Sequence, residues 1–121
     1  MNNFDSVQQA CDYAVAKIVE QGGQCLDEEG LCLYASEDGK HCAVGWLLNE
    51  KDPSKLPIDT SLINLDTKLL PQVVLDNMRV FTRLQAFHDT ASYDGKNNCL
   101  LELERLGINV SAPQYEEWLN L

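Results

Sequence analysis

The sequence predicts a single, mostly helical α+β domain of four to five helices with one small β-hairpin near residues 24–35. Apolar residues recur at spacings of three and four in several segments, which is typical of amphipathic helices. Residues 24–35 alternate in character around a glycine-closed turn, which is typical of a hairpin. The 121 residues have the length of one domain, so we assign residues 1–121 to it.

The clearest predicted helix covers residues 4 to 21. Its apolar stripe consists of Phe4, Val7, Ala10, Cys11, Ala14, Val15, Ile18 and Val19. Asn3 is a candidate N-cap, and the pair Gly22 and Gly23 is a candidate stop signal. This segment therefore predicts a helix with one buried face.

Two turns follow this helix. Residues 27–30 are expected to form the hairpin turn, and residues 37–40 a second turn that leads into a short helix over residues 41–48. A glycine inside a helix costs about 1 kcal/mol relative to alanine. Gly45 therefore indicates a place where another backbone segment comes close.

The second half begins with an irregular connection over residues 49–70, whose leucines are expected to hold it across the core. A second strong helix is predicted from Pro71 to about Thr90, because proline suits the first turn of a helix. Residues 93–97 are expected to form a loop.

Two further helices complete the prediction. Asn98 is the candidate N-cap of a third long helix that ends at Gly107. Ser111 and Gln114 have the spacing of a capping box, which predicts a final short helix over residues 113–120.

Charge and hydropathy limit the possible partners. The chain has 19 acidic and 9 basic residues, a net charge of −10. Nucleic acids and anionic membranes bind basic faces, so neither is an expected partner. No apolar run approaches the roughly 20 residues that span a bilayer, and the first residues lack the pattern of a signal peptide, so we expect a cytoplasmic protein.

The five cysteines are expected to be thiols, because their number is odd and no targeting segment indicates an oxidising compartment. Cys11 and Cys99 fall on apolar helix faces, where cysteine behaves as a small hydrophobic residue. No cofactor is expected. A zinc site formed by Cys25, Cys32, Cys42 and either His41 or His88 is an alternative, although paired zinc ligands usually lie two to four residues apart.

A second alternative is a thiol hydrolase. Cys42 is expected at a helix N-terminus, where unpaired amides favour a thiolate, and His88 could act as its base. Asp89 adjoins this histidine on a helix and so points to another side. We do not expect catalysis, because no known catalytic signature surrounds Cys42.

The main candidate for function is an acidic patch. Residues 1–52 carry 10 acidic and 3 basic side chains, a net charge of −7. The acidic patch consists of Asp27, Glu28, Glu29, Glu37 and Asp38. Such a concentration of carboxylates steers association with a basic protein surface.

Residues 30–48 and 84–89 resemble a group of short proteins that bacteriophages and prophages encode. The matching residues are Cys32, Tyr34, Gly39, Cys42, Ala43, Val44, Gly45, His88 and Asp89. The chain departs from the pattern at Trp46, where the group more often has Cys or His. The resemblance implies a phage origin. With the acidic patch it predicts an accessory protein that binds and modulates or inhibits a host protein with a basic surface, of the anti-CRISPR or anti-restriction type.

Overall fold

The computed structural model describes residues 4–23, 33–36, 38–50, 52–56, 62–89 and 92–121, with the side chains of residues 87–89 left out. The helices are α1 (Val7–Gln21), α2 (Gln72–Leu75), α3 (Met78–Asp89), α4 (Tyr93–Arg105) and α5 (Pro113–Leu119). Short 3-10 turns lie between α1 and α2, at Gly45–Leu47, Pro53–Lys55, Leu62–Asn64 and Thr67–Leu69.

The predicted α+β class is wrong. No strand or sheet forms in the described residues, where β pairing is limited to isolated bridges such as the antiparallel one between Ala35 and His41. A two-stranded hairpin is marginal without a third strand or a helix to cover it. The remainder of the predicted hairpin, residues 24–32, lies outside the described residues. The fold is a small helical domain.

Helix α1 confirms the first predicted helix, but it begins one turn later. Ser6 is its N-cap, since the Ser6 hydroxyl accepts a hydrogen bond from the Gln9 amide at 3.1 Å. Gly22 ends the helix in the left-handed region, at φ +91°, and its amide bonds back to the carbonyl oxygens of Ile18 and Val19.

The single helix predicted from Pro71 to Thr90 is interrupted. Asp76 and Asn77 form a turn between α2 and α3. The Asn77 side chain donates to the Val73 carbonyl at 2.9 Å. Asn and Asp side chains compete with helical hydrogen bonds in this way, so an Asp-Asn pair favours a break.

Helix α4 starts at Tyr93, so the loop predicted at residues 93–97 and the cap predicted at Asn98 are wrong. Ser92 is the N-cap, because its hydroxyl accepts a hydrogen bond from the Gly95 amide at 3.1 Å. The extra turn places Lys96 in the interior, 6% exposed. The Lys96 Nζ donates to the carbonyl of Trp118, near the end of α5, at 3.2 Å.

The predicted capping box of α5 does not form. Ala112 is the N-cap, and the Ser111 hydroxyl donates instead to the Asn109 side chain at 2.6 Å. Gln114 donates to the Asp12 carbonyl on α1 at 3.3 Å. The Gln114 side chain thus joins α5 to α1.

Among the described residues, one hydrophobic cluster connects the five helices. Its largest fully buried side chains are Trp118, Tyr115, Phe81, Ile18, Leu47, Leu48, Leu84 and Leu103. Leu56, Leu62, Leu65 and Leu70 are also buried, which confirms that leucines hold the irregular connection across the core. No helix among the described residues is long and apolar enough to cross a membrane.

Candidate functional site

The predicted site residues divide into those that the structure describes and those that it does not. Cys25, Asp27, Glu28, Glu29, Cys32, Glu37 and the side chain of His88 lie outside the described residues. The described members are Asp38, His41 and Cys42. The zinc set and the Cys42–His88 pair therefore stay predictions. Within the described ranges, no three His, Cys, Asp or Glu side chains are grouped so that they could hold a metal ion.

Asp38 is the member of the acidic patch that the structure describes. It is exposed on a tight turn in which the Ser36 amide donates to the Lys40 carbonyl at 2.8 Å. The Ser36 hydroxyl donates a hydrogen bond to the Asp38 carboxylate, which holds the pKa of Asp38 below its usual range. Asp38 therefore presents a charged carboxylate to solvent at neutral pH.

Cys42 is buried, with no exposed surface. Its Sγ accepts a hydrogen bond from the Gly45 amide at 3.2 Å, so the thiol supports the start of the 3-10 turn Gly45–Leu47. A substrate cannot reach this sulfur without an opening of the loop. The burial counts against the hydrolase alternative.

Gly45 confirms the predicted close approach of backbone. A Cβ at this position would overlap the Tyr34 carbonyl oxygen and lie 3.2 Å from Cys42 Sγ. The amide of Cys42 also donates to that carbonyl, at 3.4 Å. Residues 34 and 42–45 therefore pack backbone against backbone.

The side chain of His41 packs against Trp46, with ring centroids 4.4 Å apart. Gln21, at the end of α1, holds this pair in place. The side-chain nitrogen of Gln21 donates to the His41 carbonyl at 2.7 Å. The side-chain oxygen of Gln21 accepts from the His41 backbone amide and from the Trp46 indole. Trp46 thus has a packing role.

Sequence reasoning missed a groove between α3 and α4. It is lined by Arg79, Arg83 and Arg105, together with Glu102 and the apolar side chains of Ile63 and Met78, and we call it the arginine groove. These are all three arginines of the chain. Arg83 Nε donates to Glu102 Oε2 at 2.7 Å, which ties the two helices together.

The arginine groove had only a partial signal in the sequence. Arg79 and Arg83 stand four residues apart, a spacing that places them on one face of a helix. Arg105 lies on the next helix, and its arrival at the same groove depends on how α3 packs against α4. That packing is a tertiary property that periodicity does not reveal.

No family model, curated protein or solved structure matches the chain.

Proposed function

We propose that the protein is a non-enzymatic phage or prophage accessory protein that binds a host protein with a basic surface and modulates or inhibits it. The observation that carries this proposal is the excess of exposed negative charge. The exposed carboxylates of the described residues are Asp5, Glu20, Asp38, Asp52, Asp66, Asp76, Asp94, Glu104, Glu116 and Glu117. A surface of this kind attracts a basic partner and repels nucleic acid.

The basic residues do little to offset this charge. Lys96 is buried, and Lys17 lies over the rings of Tyr13 and Trp46 at 5.7 and 5.4 Å. The arginines are gathered in the arginine groove. Outside that groove, the exposed basic side chains of the described residues are Lys40, Lys55 and Lys68.

The acidic patch is the proposed centre of the contact, because residues 1–52 carry a net charge of −7 out of −10. Closely spaced carboxylates resemble the phosphates of a nucleic acid in charge. A host enzyme that handles nucleic acid has a basic surface for those phosphates. The partner proposed is therefore a defence or nucleic-acid-handling protein of the kind that anti-CRISPR and anti-restriction proteins inhibit.

The test compares two sets of charge reversals that give the same net charge. The patch variant replaces Asp27, Glu28, Glu29, Glu37 and Asp38 by lysine. The scattered variant replaces five other exposed acidic residues by lysine, namely Asp5, Asp76, Glu104, Glu116 and Glu117. Tagged versions of both and of the wild type are used to capture partners from host lysate.

We expect the wild type and the scattered variant to retain the same partner and the patch variant to lose it. If the patch variant keeps the partner, the acidic patch is not the contact. If both variants lose it equally, net charge alone governs capture and the proposed location is wrong.

A further inference from the structure

The arginine groove concentrates positive charge on an acidic protein. Its lining carries three arginines and one glutamate, a net charge of +2, in a chain whose net charge is −10. Glu102 is paired with Arg83. Neither Arg79 nor Arg105 forms an ion pair with any other described residue. Two exposed arginines that line one groove and pair with no described acidic residue favour the binding of an anion there.

The charge of the groove fits a phosphate group. Guanidinium groups bind phosphate through paired N–H bonds. A phosphate monoester carries a charge of about −1.5 to −2 at neutral pH, which matches the net charge of the lining. Thr82, between Arg79 and Arg83 in sequence, adds a hydroxyl group to the same lining. A ligand with a single carboxylate would neutralise only half of the +2 charge of the lining.

The groove also offers apolar surface beside the arginines. Ile63 is 80% exposed, and it lies at this groove with Met78 and Leu106. The cavity volume is about 610 Å³, which is typical of small-molecule sites. A ligand that leaves this apolar surface in water would gain less than one that covers it.

We propose that the arginine groove binds a small phosphate monoester whose alcohol part is apolar. Arg79 and Arg105 hold the phosphate, and Ile63 and Met78 contact the apolar part. This site is independent of the acidic patch and attracts charge of the opposite sign.

Hexyl phosphate is the probe, and isothermal titration calorimetry and amide NMR shifts measure its binding to the full chain. Inorganic phosphate and hexanoate separate the contributions of the phosphate and of the apolar part. We expect hexyl phosphate to bind with a Kd below about 1 mM and at least about tenfold more tightly than either control. Binding should weaken as the pH falls below about 6, where the phosphate takes up a proton.

Variants locate the site. Arg79→Gln and Arg105→Gln should each weaken hexyl phosphate binding about tenfold, because each removes a charge-assisted hydrogen bond. Lys68→Gln, an equal loss of charge at an exposed lysine outside the groove, should leave it unchanged. Ile63→Ser should reduce the advantage of hexyl phosphate over inorganic phosphate. All four positions are exposed, so the variants should fold.

Three results would overturn the proposal. The first is the absence of saturable binding of hexyl phosphate. The second is binding that survives both arginine substitutions. The third is tighter binding of hexanoate or of a hexaglutamate peptide than of hexyl phosphate, which would assign the groove to carboxylates.

Discussion

At Gly45, the absence of a side chain lets the backbone of residues 42–45 pack directly on the Tyr34 carbonyl. Gly45→Ala should lower the free energy of unfolding by about 3 kcal/mol, because the added methyl group has to displace backbone atoms. Denaturant unfolding measures the change. Gly39→Ala is the control, since Gly39 lies at φ +91° in open space and alanine there costs only about 1–2 kcal/mol. Equal losses in the two variants would contradict the close approach.

Two buried groups on α1 and α5 make the fold sensitive to alkali. Burial raises the pKa of Cys11 from 9.0 to about 12. Burial and the hydrogen bond that its hydroxyl donates to Asp12 at 2.8 Å also raise the pKa of Tyr115. In the unfolded chain the thiol and the phenol lose their protons at a lower pH than in the folded protein. The free energy of unfolding is therefore not reduced by these groups below pH 9, and it falls as the pH rises towards 12.

Denaturant unfolding at several pH values tests this alkaline decline. Cys11→Ala should remove the part that begins near pH 9, and Tyr115→Phe the part that begins near pH 10. A decline that is the same in the wild type and in both variants would show that other groups cause it.

The reactivity of Cys42 separates a packing role from a nucleophilic one. The thiol is as buried as that of Cys11, whereas Cys99 is partly exposed. A thiol reagent followed by peptide mapping should therefore modify Cys99 before Cys42 and Cys11, which should react only as slowly as the protein opens. Rapid modification of Cys42 in the native protein would support the hydrolase alternative.

Among the elements, α4 and α5 depend on one buried lysine. Lys96 Nζ lies 4.6 Å from the centre of the Trp118 ring and donates to the Trp118 carbonyl. Lys96→Met keeps the aliphatic packing but removes the hydrogen bond and the cation–π contact, which should cost about 1–2 kcal/mol. Lys68→Met, on an exposed turn, should change the free energy of unfolding by less than about 0.5 kcal/mol. A loss in Lys96→Met no larger than this control's would contradict the proposed role.

Local signals predicted some elements well and others badly. The apolar stripe of α1 and the glycine at its end are local, so that helix and its end were predictable. Ser92 and Asn98 are both good N-cap residues, and the helix uses Ser92 and buries Lys96 against α5. Of the hairpin expected near residues 24–35, the structure describes residues 33–35, which form isolated bridges and not a strand. Long-range packing thus decides what the local patterns leave open.

For the whole molecule, the distribution of charge was only half predictable. The acidic excess of residues 1–52 follows from composition. The gathering of all three arginines into one groove required the packing of α3 against α4. The exposed carboxylates of the described residues thus outnumber the exposed lysines, and the three arginines gather at one groove.

The salt dependence of affinity for the captured host partner tests the central claim most directly. Charge-driven association weakens as the ionic strength rises, because dissolved ions screen the attraction between charges. The screening length is about 10 Å at 0.1 M salt. We expect the Kd of the wild type and of the scattered variant to rise steeply with ionic strength, and the patch variant to bind weakly with little dependence on salt. A patch variant that binds as tightly as the wild type, with the same salt dependence, would contradict the account.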